Sequence, residues 1–383
     1  MSRAYHPLLR IPGAPAFFLA AAVGRVGLAM TGLGLVWLVH ARTGSYATAG
    51  LATAGFALAE ALIGPQLARA ADRFGQTRVL PFALLAHGAG MSVVLAVDAP
   101  AALIVAATAA GAAVPQLGAL SAARWSGLLR DGRADELPTA FSLESLANAT
   151  AFLLGPALVA ALGAAGHPAV GSAIATTLIL GGGGALAAQR RTAPRPVRRP
   201  SGKRPGLLLL ALLNMGIGLY FGTLGVAVSA FATGHGVPGA AAPILVAASL
   251  GGLFSGWLYG LRRHRMPAPR QLVVVTAYLT GAALLLPLAP SAIWLGAAVV
   301  CTEAAVPPTL VLLAVLTERS VHPAVLTEAF TWNNSSSAAG SAVAAAVAGR
   351  LADSIGPSAA FLPAPAAGLI LLTLALTARR TLR

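Results

Sequence analysis

The sequence predicts an all-α membrane protein of twelve transmembrane helices in two six-helix halves. Three observations predict it. Of 383 residues, 57% are hydrophobic and only 10% charged, with a mean hydropathy of +0.78; water-soluble domains do not have this composition. The basic residues are sorted into alternate gaps between apolar stretches, and the chain echoes itself about a polar middle.

A spanning helix needs about 20 apolar residues, because lipid offers backbone amides no outside partner. Taken in order, the first stretch (about 15–39) is expected to act as the insertion signal, since no small-residue cleavage site precedes it. The second (about 47–68) ends in an arginine-rich loop, and the third and fourth lie at about 79–97 and 101–121. The fifth (about 138–163) contains a Gly-Pro step, and the sixth (about 168–188) is rich in Ala and Gly. The seventh to tenth follow at about 206–232, 240–261, 271–289 and 292–316, and the last two at about 326–351 and 357–378. Trp37, Trp125, Trp257, Trp294 and Trp332 all stand toward segment ends, where amphipathic rings favour the headgroup level.

Direction comes from charge. Of the 26 Lys and Arg residues, all but Arg25, Arg42 and Arg350 lie in every second gap or at the ends. Such one-sided segregation is the positive-inside rule; it predicts an even number of crossings with both ends in the cytoplasm. The net charge of +15 is then a topology signal and not a nucleic-acid footprint, because no basic run joins a nucleic-acid-binding motif. The lone Cys301 excludes an intramolecular disulfide.

Residues 189–205 are polar and Arg/Pro-rich, and read as a cytoplasmic connection between halves 1–188 and 206–383. Shifting the first half by about 190 positions aligns several features. Ala112-Ala113-Val114-Pro115 recurs as Ala304-Ala305-Val306-Pro307, Thr139-Ala140-Phe141-Ser142 falls on Glu328-Ala329-Phe330-Thr331, and Arg73 and Arg78 fall on Arg265 and Arg270.

Two local motifs add to this repeat. The loop Ala68-Arg69-Ala70-Ala71-Asp72-Arg73-Phe74-Gly75-Gln76-Thr77-Arg78 resembles the G-x-x-x-D-R-x-G-R-R loop of the major facilitator superfamily. It matches at Asp72, Arg73 and Gly75 and departs at Ala68, Gln76 and Thr77, with Arg78 the nearest substitute for a missing base. In the fifth stretch, Gly155 and Pro156 match the Gly-Pro of the motif that drug:proton antiporters of that superfamily carry there. The resemblance implies two six-helix bundles related by a pseudo-two-fold axis, with substrate at their interface. It implies a cavity lined by stretches 1, 4, 7 and 10, with 2, 5, 8 and 11 forming the rocking surface. Asp72 would then latch the cytoplasmic side by accepting hydrogen bonds from a facing helix N-terminus and pairing with an arginine. The plainer alternative is a solvated turn.

Ionisable groups at membrane depth are costly enough to be functional hypotheses. They are Arg25, Glu60 and Glu303, with Glu144 nearer the inner surface, where a static pair or a snorkelling side chain is the simpler expectation. Arg25 and Glu303 are expected to enter the cavity from opposite halves. A carboxylate walled by apolar groups can bind and release protons near neutral pH. Asn148, Asn333 and Asn334 are candidates to orient a substrate, with Gln116, Asn214 and Tyr220 behind them.

No glycine-rich phosphate loop, His-Glu-x-x-His pair or Gly-x-Ser-x-Gly elbow occurs. No cofactor or metal is expected, and the chain is not expected to be an enzyme. The expected partners are a small-molecule substrate, protons and membrane lipid, with no nucleic acid, and a monomer is expected in a bacterial cell (inner) membrane. The resemblance implies export by proton antiport through alternating access. Proton-coupled uptake is the alternative, and an intramembrane enzyme a more distant one. Tags fused at Ser201 and Arg383 should report from the cytoplasm and a tag at Gly236 from the opposite side; one tag on the wrong side breaks the twelve-span count.

Overall fold

The computed structural model describes residues 4–196, 205–262 and 266–381. Arg3, Arg198, Arg199, Lys203 and Arg204, Arg263 and Arg265, and the tag positions Ser201 and Arg383 lie outside the described residues. All twelve predicted stretches are helical, and no strand occurs among the described residues. A single turn, α1 (His6–Leu9), precedes α2 (Ala14–Thr43), α3 (Tyr46–Phe74) and α4 (Gln76–Ala96). The fourth stretch is two helices, α5 (Pro100–Ala112) and α6 (Leu117–Leu129), followed by α7 (Leu137–Ala164) and α8 (Pro168–Ala188). The second half begins with α9 (Pro205–Gly234), α10 (Ala241–Leu261) and α11 (Ala268–Ala283). Its fourth stretch is again split, into α12 (Ala292–Glu303) and α13 (Val306–Ser320), before α14 (Leu326–Ser354) and α15 (Pro363–Thr381).

Both splits fall on the repeated Ala-Ala-Val-Pro. Proline has no amide hydrogen and its ring crowds the carbonyl one turn back, and it pushes the preceding residue out of the helical region. α5 therefore ends at Ala112, and α6 resumes at Leu117 after Pro115. In the second half Pro307 and Pro308 open α13, the first-turn position proline tolerates. Irregular backbone at membrane depth persists only where protein or a water-filled cavity satisfies it.

Among the described residues, ten helical segments are long and apolar enough to cross a membrane by themselves. The other two have physical reasons to fall short. α11 has 16 residues, roughly 24 Å of helix, and hydrogen-bonded turns from Leu284 to Ala289 carry the apolar stretch onward. α14 has 29 residues but carries Asn333, Asn334 and Ser335 to Ser337. It is packed into protein along much of its length: α9, α3, α6 and α13 all touch it.

Helix pairings recur between the halves. α2 packs on α7 and α8 as α9 packs on α14 and α15, and α4 meets α8 as α11 meets α15. Small residues set these seams, since lipid tails give helices little hydrophobic reason to associate and close backbone approach supplies the contact. Gly218 and Gly222 of α9 face the backbone of Ser337 and Ser341 in α14, where any Cβ would drive into a carbonyl oxygen. In the first half Gly24 meets Gly182, so the Gly181 to Gly184 run is in part a packing surface of α8. The halves meet through α3 with α14 and α7 with α10 and α13.

One exception to the charge pattern is explained. The Arg42 guanidinium donates to the carbonyls of Val94, Leu95 and Val97 at the end of α4, with Asp98 3.5 Å away. It caps a helix whose last carbonyls have no partner of their own. Trp125 faces protein and not lipid: it is fully buried, edge-on to Phe17 at 5.0 Å. The α9–α14 seam predicts that Gly222→Val lowers stability by about 3 kcal/mol, the upper range for overpacking. Gly225→Val, where a Cβ meets nothing within 4 Å, should leave it nearly unchanged. Thermal unfolding in detergent separates the two, and equal losses would remove the seam argument.

Candidate functional site

The two halves are fastened at the arginine-rich end. α14 begins after Val325, which supplies no side-chain cap, so its first amides need partners from elsewhere. Asp72, near the end of α3, provides them: its two carboxylate oxygens accept from the amides of Thr327 at 3.3 Å and Glu328 at 3.0 Å. A carboxylate at a helix N-terminus also meets the positive end of the helix dipole. Arg69 stands one turn earlier on α3 and donates to the buried Glu328 carboxylate from Nη2 at 2.8 Å and Nε at 3.2 Å. Above this latch Thr331 packs against Gly64, and Phe141 and Phe330 meet edge-on at 5.8 Å.

The other members of the loop motif serve the turn. Gly75 ends α3 with φ +99°, a conformation that costs an L side chain strain. Arg73 lies 5.0 Å from the centre of the Phe74 ring, and Arg78 is exposed. The arginine that joins the latch is therefore Arg69, which sequence reading counted only as a topology charge. Its signal was present: three residues before Asp72 on a helix, it shares that face.

The opposite closure, where α7 meets α10, is uncharged. Thr139 donates to the Gly260 carbonyl at 3.1 Å, and Tyr5 donates to the Trp257 carbonyl at 2.8 Å. Gly260 lies directly under Tyr5 and Ser142, with no room for a side chain. Tyr5, placed before α1, thus reaches from the N-terminal segment onto the second half.

At membrane depth the groups sort within each half. Arg25 in α2 pairs with Glu144 in α7 and also donates to the Glu144 backbone carbonyl at 3.3 Å. Ser121 in α6 donates to the other Glu144 oxygen at 2.6 Å. Arg25 and Glu144 are 6% and 9% exposed, so Glu144 is a buried partner and no snorkelling side chain. Sequence reading set Arg25 toward Glu303, but in this structure its ion pair is with Glu144. A buried pair of this kind is held because removing one member strands the other charge.

Glu303 closes α12, beside the interruption. The Tyr220 hydroxyl lies 2.6 Å from the Thr302 hydroxyl oxygen and 3.3 Å from Glu303 Oε1, sharing its one hydrogen between them. Gly252 of α10 leaves room for the other carboxylate oxygen, as a Cβ there would meet it at 3.4 Å. Glu60 is half-buried and makes no hydrogen bond or ion pair among the described residues. Asn148 is exposed one turn beyond Glu144, and Asn334 is exposed on α14. Asn333 is buried and donates to the Thr317 hydroxyl at 2.8 Å, while its side-chain oxygen has no partner. Gly155 lets α7 lie against Ala29 and Met30 of α2, where a Cβ would meet Ala29 at 2.8 Å, and Pro156 continues inside the same helix. No sequence signal could have found Ser121 or Thr302, because their roles depend on how neighbouring helices are rotated. Among the described residues no group of three or more His, Cys, Asp or Glu is placed to hold a metal ion.

The family description "Major Facilitator Superfamily" matches residues 17–345. No curated protein matches the sequence significantly. Among solved structures, the human organic anion transporter MFSD10 superposes with a TM-score of 0.74 at 17% identity, covering 94% of this chain and 98% of that one. A bacterial homologue of the iron transporter ferroportin, in its outward-facing state, gives 0.78 at 10% identity over 95% and 98%. The Escherichia coli fucose:proton symporter FucP gives 0.72 at 12% identity over 96% and 98%. At these identities the superpositions speak to the fold, and the family match covers most of the chain. The chain belongs to the Major Facilitator Superfamily and is a multi-pass membrane transporter, not an enzyme.

Proposed function

We propose that this protein is a secondary active transporter that exports a small molecule by proton antiport with alternating access. Residues 1–188 and 206–383 are the two six-helix bundles of a twelve-span monomer, joined by a cytoplasmic connection. They rock against each other in a bacterial cell (inner) membrane, with both termini in the cytoplasm. The observation that carries the reading is the latch of Asp72 and Arg69 on the first turn of α14. It is the charged fastening between the two halves, beside the neutral α7–α10 contacts, and it is made of contacts that exist only while the arginine-rich, cytoplasmic side is closed. Breaking them costs little more than the hydrogen bonds and one partly exposed ion pair, so the closed and open states can stay within a few kcal/mol of each other.

Coupling is assigned to Glu303 and, behind it, Glu60. Glu303 stands beside a helix interruption with the Tyr220 hydroxyl as its partner and, among the described residues, no cation paired with it, so protonation need break no ion pair. Arg25 and Glu144 cancel each other's charge and serve as the polar wall of the cavity, with Asn148, Asn333 and Asn334 orienting the solute. Export is favoured over uptake by Gly155 and Pro156. Gly155 stands at the close α7–α2 contact, and the pair matches the Gly-Pro of the antiporter motif in that helix, whose other glycines are Ala or Val here.

The test begins with a deletion strain grown against a compound panel, followed by proteoliposome flux of any compound to which it is hypersensitive. That compound should move opposite to an imposed proton flow; movement along with the protons overturns antiport. Glu303→Gln should reduce gradient-driven accumulation to background while leaving energy-independent exchange largely intact. Accumulation that survives in Glu303→Gln places coupling elsewhere, with Glu60 next. Arg25→Ala should weaken exchange and accumulation together, as loss of binding does.

A further inference from the structure

Arg124 in α6 is fully buried, yet no carboxylate among the described residues pairs with it. A buried cation is costly unless its donors are met. Here they are met by neutral oxygens. Nε donates to Gln76 Oε1 at 2.9 Å, Nη1 to the Gln189 carbonyl at 3.0 Å and the Thr192 hydroxyl at 2.9 Å, and Nη2 to the Leu186 carbonyl at 2.9 Å. Leu186 and Gln189 end α8, so the negative end of that helix stands where a counter-ion would.

Two of the elements that supply these acceptors also meet the latch loop. Gln76 is the first residue of α4, directly after Gly75, and its amide nitrogen donates to the Leu120 carbonyl at 3.3 Å. It occupies a place where the resembled loop motif has a base. A base at 76 would face the buried guanidinium, whereas the Gln76 amide gives that guanidinium an acceptor. The second element is the start of the connection between the halves. Thr192 is buried against Gly13, Pro194 lies over Gly127, and Pro196 lies over Gly75, with a Cβ on Gly75 meeting it at 3.5 Å. Residues 189–196 are thus docked on the first half and end on the very glycine that turns the chain from Asp72 into α4.

We infer that Arg124 is a positioning residue for the latch, tying Gln76 and the docked start of the connection together so that Asp72 is held at the first amides of α14. The inference rests on the latch reading above. Asp72 must stand about 3 Å from two amides at once, and the turn that follows it out of α3 is held on the Gln76 side and by Pro196.

The test is thiol accessibility from the cytoplasmic side. Cys301→Ser removes the single native thiol, and Thr331→Cys places a reporter that is buried above the closed latch. In inverted vesicles labelled with a membrane-impermeant maleimide, Asp72→Asn should raise labelling several-fold. Arg124→Gln and Gln76→Leu should each do the same at normal expression and monodispersity. Combining Arg124→Gln with Asp72→Asn should raise it no further, because both act through one contact. A residue that merely packs would instead add its effect to that of Asp72→Asn, and full additivity overturns the inference while leaving the latch intact. Parental labelling in both Arg124→Gln and Gln76→Leu overturns it too. If Arg124→Gln does not fold, Gln76→Leu, which spares the contacts of residues 189–196, decides the same comparison. If Asp72→Asn itself labels like the parent, the latch reading fails and the positioning role fails with it.

Discussion

A backbone amide or carbonyl inside hydrocarbon has no water to turn to, and this protein depends on how that constraint is met. Within helices it is met locally. At helix ends four groups are left over, and this sequence seldom supplies a cap from the adjoining residues; Ser45 and Ser291 are among the few that do. Charged side chains from other helices fill the role, each with the sign the helix dipole asks for. Arg42 meets the carbonyl end of α4, Arg124 that of α8, and Asp72 the amide end of α14. These long-range caps take the place of local sequence signals, and they tie together elements far apart in the chain.

This explains what could be read from the sequence and what could not. Helices were legible because length and hydropathy report directly on the lipid constraint; the two proline interruptions were not, and the fourth and tenth stretches were expected to run unbroken. The Ala-Ala-Val-Pro repeat marked both, though its meaning as a break emerged only from the backbone. Arg25 and Glu144 were legible as charges at depth, but depth is only one coordinate. The other is rotation about the helix axis, which depends on packing. Over the 119 residues that separate them, nothing in the sequence fixes their facing. The same gap hid Ser121, and it made Arg42 look like an exception to a charge rule when it is a cap. Asp72 could be placed because its loop resembles a known one, whereas its partner Arg69 needed the helical spacing to be taken together with the facing Glu328.

Polarity in α14 follows from the same logic. Read as a lipid-facing span, a run of Asn and Ser is an anomaly. Read as a helix pressed against α9, the small residues are what let two backbones approach, and Asn333 is satisfied in part by Thr317 of α13. The residues that make this helix look least like a membrane span are those that bind it into the bundle.

The two fastenings between the halves at the arginine-rich end differ in kind. The α3–α14 edge is ionic, with an Arg69 side chain 45% exposed to solvent; at the α7–α10 edge the bonds are neutral, from the hydroxyls of Tyr5 and Thr139 to backbone carbonyls. Dissolved ions screen the first and scarcely touch the second. As ionic strength rises, the α3–α14 edge loosens before the α7–α10 edge does. In the proposed rocking of the halves the neutral edge would then serve as the hinge of a door, and the surrounding electrolyte would help choose the side on which it opens.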